Sequence, residues 1–323
     1  MSTDTRALRN VVIVGAGAMG CLFAARLQET GASVTLIDNN AQRLALIAKE
    51  GLELVDDSGT RSCRPWTALA QDYRGPVDLL VLFTKGMHSA AAVGSIAHLA
   101  QSRPIALTLQ NGLGNAEILA DTFGADRVLK GTAHVPADLA PPNKVISHGF
   151  ADLHVGGHVP AAQYLADPVA ELFTRGGFKT VVSGNIDADV WEKLAFNAAL
   201  NAMGMITESA NGALAVESGR RIARTVVQET VSVARKIGLQ LDGAQIERTI
   251  DMALEQHPFH KASMLQDREC GRSTEIDNIN GAIVRVAEQY GVATPVNATL
   301  ADLVRVIESA LPSSPPARSS HGK

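Results

Sequence analysis

Residues 190–201 carry the polar side chains with the clearest potential for chemistry. Read as a helix at about 100° per residue, this stretch places Lys193, Asn197 and Asn201 on one face, because they are four residues apart. The rest of the stretch is mostly apolar, and a desolvated amine or carboxamide is costly unless a polar group meets it. Two interpretations are open at this point. The stripe contacts a polar substrate, or it faces solvent as an ordinary polar surface.

The composition is that of a globular protein with two domains. The chain has 323 residues, of which 46% are hydrophobic and 19% charged, which suits two cores better than one. Its net charge is −4 and it has no basic tract, so we expect no nucleic-acid partner. The longest apolar run, near residues 11–25, is interrupted by glycines and too short for a membrane span, and we expect no signal peptide.

The cysteines indicate a reducing compartment. Cys21, Cys63 and Cys270 are far apart, odd in number and without metal-ligand spacing. They fit reduced thiols, so the sequence predicts a cytoplasmic protein.

A glycine-rich turn follows the first apolar segment. Residues 11–14 are all apolar, as expected of a strand buried on both faces, and a G-x-G-x-x-G turn, a helix and a second strand follow. This is a β-α-β unit with the dinucleotide fingerprint at its first turn. The helix N-terminus offers N–H groups and a partial positive charge to phosphates. The predicted cofactor-binding residues of the turn are Gly15, Ala16, Gly17, Ala18, Met19 and Gly20.

The acid at the end of the second strand bears on which dinucleotide binds. Asp38 lies 18 residues after Gly20, where a carboxylate accepts hydrogen bonds from both ribose hydroxyls and repels a 2′-phosphate. It therefore favours NAD(H) over NADP(H). Arg43 lies five residues further on and has the length to reach a phosphate. We expect it instead to be a solvated residue on a helix face, after the capping-type Asn39 and Asn40.

Two more polar residues directly follow buried strands. Lys85 comes after the apolar run 77–83, and Asn111 comes after the run 105–109. Ligands of open parallel sheets gather beyond the carboxyl ends of the strands, so both residues are candidates to contact cofactor or substrate. The alternatives are a solvated lysine and a turn-forming Asn before Gly112.

Four histidines in a short segment raise the question of a metal. His134, His148, His154 and His158 are separated by 14, 6 and 4 residues, which matches no usual ligand run. We expect no metal site, and we interpret these histidines as surface or strand-edge residues.

The second half is predicted to be helical. β-type alternation ends near residue 185, and helical periods cover residues 187–205, 218–237, 243–255, 274–290 and 297–310. The sequence therefore predicts an α/β fold class, with an N-terminal Rossmann-type dinucleotide-binding domain followed by an all-helical C-terminal domain. The predicted parts are the dinucleotide-binding domain 1–184, which opens with a polar lead over 1–10, the helical substrate and catalytic domain 185–311, and a disordered tail 312–323. The apolar helices are compatible with a homodimer and equally with a monomer.

Two polar clusters interrupt the helical half. Ser263 opens the segment 263–267, which follows a polar loop. Thr274 is placed to cap the predicted helix 274–290, with Glu275 and Asp277 in its first turn. Acids in a first turn have a purely structural explanation in the helix dipole.

Taken together, and in the order in which they follow one another along the chain, the motifs described above resemble the ketopantoate (2-dehydropantoate) reductase family. The resemblance covers nearly the whole chain. The motifs that carry the resemblance are Gly15-x-Gly17-x-x-Gly20, Lys85, Gln110-Asn111-Gly112, Trp191-x-Lys193-Leu194 with Asn197 and Asn201, Ser263-Met264-Leu265-Gln266-Asp267, and Thr274-Glu275-Ile276-Asp277 with Asn280-Gly281. One departure is Asp38. Family members usually use NADP(H) and often carry a basic residue there, whereas relatives with an acid there reduce other branched 2-oxo acids.

The resemblance implies a cytoplasmic enzyme that reduces a branched 2-oxo acid with hydride from NAD(P)H. The substrate that it implies above all is 2-dehydropantoate, which is reduced to (R)-pantoate in pantothenate biosynthesis. It implies Lys193 as the general acid that protonates the carbonyl oxygen. It implies that Glu275 orients Lys193 or binds a substrate hydroxyl. The implied substrate-binding residues are Asn111, Asn197, Asn201 and Ser263. The implied cofactor contacts beyond the glycine turn and Asp38 are Lys85, Asn111 and Glu275.

The proposed chemistry also has a physical basis in the residues. Ketone reduction builds negative charge on oxygen, so a cationic donor aimed there lowers the barrier. Burial lowers the pKa of a lysine and a nearby carboxylate raises it. Two other functions stay open, a related NAD-dependent 2-hydroxy acid dehydrogenase of different substrate and a non-catalytic dinucleotide sensor. Lys193, Ser263 and Glu275 together argue against the sensor, since sensing needs only the glycine turn.

Overall fold

The computed structural model describes residues 8–310. They form two compact units, of which the first ends at Val190 and the second begins at Trp191. The boundary therefore falls inside the helix that carries the polar stripe. The predicted disordered tail and most of the predicted polar lead lie outside the described residues.

The first unit alternates strands and helices, as the sequence predicts for an α/β domain. Its strands are β1 Asn10–Val14, β2 Ser33–Asp38, β3 Leu52–Asp56, β4 Gly59–Cys63, β5 Trp66–Leu69, β6 Leu79–Leu82, β7 Ile105–Thr108, β8 Val128–His134, β9 Asp138–Ala140, β10 Lys144–Ser147, β11 Asp152–Gly157 and β12 Lys179–Val182. Its α-helices are α1 Ala18–Gln28, α2 Ala41–Glu50, α3 Ser89–Ser95, α4 Asn115–Phe123 and α5 Ala166–Arg175. Short 3-10 segments precede α3 and α5.

An eight-stranded sheet forms the centre of the first unit. Its strand order is β12-β11-β8-β7-β6-β1-β2-β5, and all neighbours are parallel except β8 and β11. Along β1, Val11 and Ile13 join one hydrophobic cluster while Val12 and Val14 join another. Successive side chains of a strand point to opposite faces, so the all-apolar composition of β1 reflects a core on each side of the sheet.

A second, four-stranded sheet has the order β4-β3-β10-β9. Its β3–β4 pair is an antiparallel hairpin, in which β4 ends at Cys63. Pro65 explains this end, because proline has no N–H to donate to the ladder. After it, β5 joins the large sheet beside β2.

The second unit is helical, as predicted. Its helices, counting the one that crosses the boundary, are α6 Ile186–Thr207, α7 Asn211–Leu214, α8 Glu217–Lys236, α9 Gly243–Gln256, α10 Ser263–Glu269, α11 Asn280–Tyr290 and α12 Pro295–Ser309. No helix within residues 8–310 has the length and apolar character needed to cross a membrane.

One predicted helix start is wrong. The segment from Thr274 to Ile279 forms an isolated turn, in which Thr274 Oγ1 accepts from the N–H of Ile276 and the Glu275 carbonyl accepts from the N–H of Ile279. Ile279 then leaves the helical region at φ −106° and ψ −95°, so the turn is not continued and α11 begins at Asn280. Glu275 is therefore not a first-turn residue of α11, and the purely structural explanation of this acid no longer applies.

Candidate active site

Two glycines of the dinucleotide turn are required by the packing of the protein itself. Gly15 has φ +109°, and a Cβ there would lie 2.9 Å from the carbonyl group of Phe83. A Cβ on Gly20 would collide with the carbonyl oxygen of Gly15. The first glycine thus permits the sharp turn, and the last lets α1 begin close against it.

Gly17 is different from both. Its backbone, at φ −77° and ψ −169°, is accessible to any residue, and a Cβ there would have no protein atom within 4 Å. It is also the N-cap of α1, where no side chain accepts a hydrogen bond from the first helical turn. Donors at a helix N-terminus are suited to phosphate. Ala18 and Met19, the first residues of α1, are half-buried. The turn therefore fits a pyrophosphate at the open side of Gly17.

Both backbone polar groups of Ala16 are hydrogen-bonded to side chains. Its N–H donates to Asp38 Oδ2 over 2.7 Å, and its carbonyl accepts from Arg43 Nε over 2.8 Å. Asp38 Oδ1 also accepts from the N–H of Asn40 over 2.9 Å, so the carboxylate lies against the glycine turn. Asn40 caps α2, but the prediction of a solvated Arg43 is wrong. The side chain is half-buried and its guanidinium binds the backbone of the turn.

Lys85 and Asn111 follow neighbouring strands of the large sheet. Lys85 comes after β6 and Asn111 after β7, which are parallel and paired from Leu79–Ile105 to Leu82–Thr108. Both residues are half-buried. They therefore lie beyond the carboxyl ends of two adjacent parallel strands, where ligands of such sheets bind.

A hydrogen-bond network joins these two loops. The side-chain amide of Gln110 donates to the Thr84 carbonyl and, over 2.9 Å, to Ser89 Oγ. Ser89 donates to Asn115 Oδ1 over 2.8 Å, and Asn115 Nδ2 donates to the Asn111 carbonyl over 3.4 Å. Ser89 and Asn115 are buried. Neither residue is predicted as a site residue from the sequence, although a small polar residue opens each helix that follows the two buried strands.

The polar stripe of α6 is not a solvent-facing surface. Asn197 and Asn201 are only 9% and 5% exposed, and Lys193 is half-buried. The residues beside them, such as Leu194 and Ala198, are buried in the helical unit. Desolvated carboxamides on an apolar helix need polar partners, so the interpretation as an ordinary polar surface is wrong.

A carboxylate acts on the lysine of this stripe. Burial lowers the pKa of Lys193 to about 8, and the Glu275 carboxylate opposes that shift. Glu275 is itself buried, in the turn before α11. A lysine pKa near neutral pH is suited to giving up and regaining a proton during a reaction.

Ser263 joins the stripe from a later part of the chain. It is the first residue of α10, and its Oγ accepts from Asn201 Nδ2 over 3.4 Å. The helical unit contains five of the predicted site residues, Lys193, Asn197, Asn201, Ser263 and Glu275. The first unit contains the others, which are the glycine turn, Asp38, Lys85 and Asn111.

Two of the four clustered histidines each contact a single aspartate. His148 Nδ1 contacts Asp57 over 2.8 Å, and His154 Nδ1 contacts Asp189 over 2.9 Å. The backbone N–H of His158 donates to the Val128 carbonyl. Within residues 8–310, no group of three or more His, Cys, Asp or Glu side chains is arranged to hold a metal ion.

A dinucleotide turn in an α/β unit, followed by a helical unit with a desolvated lysine next to a carboxylate, defines a class of oxidoreductases that use a nicotinamide dinucleotide. The comparison with protein families is more specific. Residues 11–159 match the family model described as "Ketopantoate reductase PanE/ApbA", and residues 185–308 match "Ketopantoate reductase PanE/ApbA C terminal". The chain belongs to the ketopantoate reductase family, which confirms the resemblance, and it is an NAD(P)-dependent keto acid reductase.

Relatives match over nearly the whole chain. The 2-dehydropantoate 2-reductase of Halobacterium salinarum is 33% identical over 300 residues, covering 92% of this chain and 98% of the relative. The structure of D-mandelate dehydrogenase with NADH and anilino(oxo)acetate has a TM-score of 0.90 at 28% identity, covering 94% of this chain and 99% of that one. A PanE/ApbA family ketopantoate reductase from Ralstonia eutropha has a TM-score of 0.84 at 30% identity, covering 93% and 98%.

Proposed function

We propose that this protein reduces the keto group of a branched 2-oxo acid and that NADH is its preferred cofactor. The substrate that we propose above all is 2-dehydropantoate, which is reduced to (R)-pantoate. The observation that carries the proposal is the desolvated Lys193 with Glu275 acting on it. The name of the Halobacterium salinarum relative supports the choice of substrate.

Lys193 is the general acid in this proposal. When bound, the reduced nicotinamide supplies the hydride. Negative charge then develops on the carbonyl oxygen, and the Lys193 ammonium stabilises it and transfers a proton to it. Glu275 keeps a larger fraction of Lys193 protonated, because its carboxylate raises the lysine pKa against the effect of burial. The neutral amine is then protonated again from solvent before the next turnover.

The remaining polar residues bind and orient the substrate. Asn197, Asn201 and Ser263 offer amide and hydroxyl donors to a 2-oxo acid carboxylate and carbonyl. The burial of Asn197 and Asn201 supports this role, because polar groups at a desolvated site act more strongly than in water. Asn111 and Lys85 contact the cofactor and the substrate from the loops after β7 and β6. In this proposal Glu275 also approaches the cofactor.

The preference for NADH rests on Asp38. Its Oδ1 and Oδ2 accept hydrogen bonds from Asn40 and Ala16, so the carboxylate is fixed at the end of β2 beside the glycine turn. There it is suited to bind ribose hydroxyls and to repel a 2′-phosphate. The D-mandelate dehydrogenase structure with NADH, which covers 94% of this chain, supports the same choice. NADP(H) is the habit of the wider family, and it is the alternative cofactor.

A second candidate substrate is a different 2-oxo acid, which the protein interconverts with the D-2-hydroxy acid. The observation that favours it is the TM-score of 0.90 to D-mandelate dehydrogenase with anilino(oxo)acetate. The same residues serve this reaction, and only the side chain of the acid differs.

One assay separates these possibilities. 2-Dehydropantoate, other branched 2-oxo acids and phenylglyoxylate are each incubated with NADH and, separately, with NADPH, and the loss of reduced-nicotinamide absorbance is followed. We expect the highest kcat/KM for 2-dehydropantoate with NADH. A higher value for phenylglyoxylate supports the second candidate, and a clear preference for NADPH contradicts the role of Asp38.

We also propose a cytoplasmic location, on the basis of three cysteines that are all free. A homodimer is a further prediction, which sedimentation of the purified protein tests directly.

A further inference from the structure

Each nitrogen of the Arg43 guanidinium has a partner in the first unit. Nε donates to the Ala16 carbonyl over 2.8 Å. Nη1 lies 3.4 Å from both the Pro142 carbonyl oxygen and Asn143 Oδ1, and Nη2 lies 3.5 Å from Cys21 Sγ. The cation is therefore directed at the protein and is half-buried.

Asn143 is an unusual partner for this cation. It precedes β10 of the four-stranded sheet, and its carbonyl accepts from the N–H of Glu53, which fixes its backbone. The side chain is 5% exposed, and its Nδ2 has no hydrogen-bond partner among the described residues. A buried amide with one unsatisfied end contributes little to stability. The contact with Arg43 is the one favourable polar interaction that its side chain makes within residues 8–310.

Arg43 lies next to the residue on which cofactor choice depends. Ala16 is bound by Asp38 through its N–H and by Arg43 through its carbonyl, so the backbone of one residue separates the carboxylate from the cation. A guanidinium is the group that proteins use to bind phosphate in a bidentate manner. Without the Asn143 contact, Nη1 keeps only the Pro142 carbonyl, 3.4 Å away, so the guanidinium is less restrained from turning toward a phosphate on the ribose that Asp38 is proposed to bind.

We infer that Asn143 is a positioning residue that sets coenzyme specificity, because it holds the Arg43 guanidinium against the glycine turn and away from a 2′-phosphate. Discrimination against NADPH then has two parts. Asp38 repels the 2′-phosphate, and Asn143 prevents Arg43 from neutralising it. This inference rests on the proposed dinucleotide function and adds a determinant from the four-stranded sheet.

The test is the ratio of kcat/KM with NADPH to kcat/KM with NADH, measured for the full chain and for Asn143→Leu. Leucine keeps the branched shape of the side chain and removes the acceptor, and loss of a half-satisfied amide leaves the melting temperature almost unchanged. We expect the ratio to rise about tenfold or more, the value of one charge-assisted hydrogen bond. Asn143→Ala gives a second measurement if the leucine variant does not fold. Lys49→Ala, which removes a positive charge at the far end of α2, is the control for charge on that helix.

A double variant shows whether Arg43 is responsible. In Asn143→Leu with Arg43→Ala the cation is absent, so the gain with NADPH is expected to disappear. The inference is overturned by an unchanged ratio in a folded Asn143 variant, or by a gain that persists without Arg43. A wild-type protein that binds neither NADH nor NADPH, measured by nicotinamide fluorescence, refutes the proposed function itself and the inference with it.

Discussion

The carboxylate of Glu275 raises the pKa of the Lys193 amine, while burial lowers it to about 8. The two residues lie 82 positions apart in the sequence, and both belong to the helical unit. Because α11 starts at Asn280, Glu275 occupies a separate turn, where it has no role as a helix-capping acid. This pair is the centre of the proposed proton transfer.

The first prediction concerns the pH dependence of reduction. Lys193 must be protonated to donate, so kcat/KM for the 2-oxo acid is expected to be constant at low pH and to fall above about pH 8, where the amine loses its proton. The decline approaches about tenfold per pH unit, as for loss of a single proton. Initial rates between pH 6 and about pH 10 measure it. A profile without a fall in this range contradicts the assignment of Lys193.

The second prediction links that profile to Glu275. Glu275→Gln keeps the shape of the side chain and removes the charge that raises the Lys193 pKa, so the fall in kcat/KM is expected to move to lower pH. At a fixed pH near 8 the variant is therefore slower than the wild type. Glu288→Gln, an exposed acid of α11, is the matched control and is expected to leave the profile in place. An unchanged profile in Glu275→Gln shows that the carboxylate does not act on the lysine.

The third prediction separates two glycines of the dinucleotide turn. Gly20→Ala brings a Cβ into the Gly15 carbonyl, so the variant is expected to lose about 1–3 kcal/mol of stability, as over-packed sites do. Gly17→Ala meets no protein atom within 4 Å and is expected to keep its melting temperature. Its methyl group nevertheless occupies the open side where we expect pyrophosphate, so NADH binding should weaken.

Thermal unfolding and NADH titration of the two variants check this contrast. If Gly17→Ala binds NADH as tightly as the wild type, the pyrophosphate does not approach that face of the turn.

Local patterns were sufficient to predict much of the fold. The apolar run of β1 predicted a strand buried on both faces, and Val11 to Val14 are each at most 3% exposed. The glycine spacing predicted the turn that follows it. Both features are readable from the sequence because a buried strand and a tight turn leave their constraints in consecutive positions.

Features that depend on distant residues were not predictable. The sequence predicts a solvated Arg43 because a helix position near a cap is usually exposed, but the side chain binds the Ala16 carbonyl of the glycine turn, and its other oxygen acceptors, Pro142 and Asn143, lie about 100 residues further on. The predicted helix start at Thr274 was wrong for a different reason. A capping residue followed by acids indicates one helical turn, but the backbone of Ile279 determines that this turn does not continue into α11. The hydrogen-bond partner of Asn201 is likewise distant in the sequence, because Ser263 lies outside α6.

The central claim is that Lys193 donates the proton that accompanies hydride transfer, and Lys193→Ala tests it most directly. The measurement is kcat for 2-dehydropantoate reduction together with the Kd for NADH on the same preparation. We predict a loss of about 10²–10⁴-fold in kcat, the usual contribution of a positioned general acid, with a Kd within about threefold of the wild type, less than 1 kcal/mol. Turnover close to the wild-type rate in a variant that still binds NADH contradicts the claim.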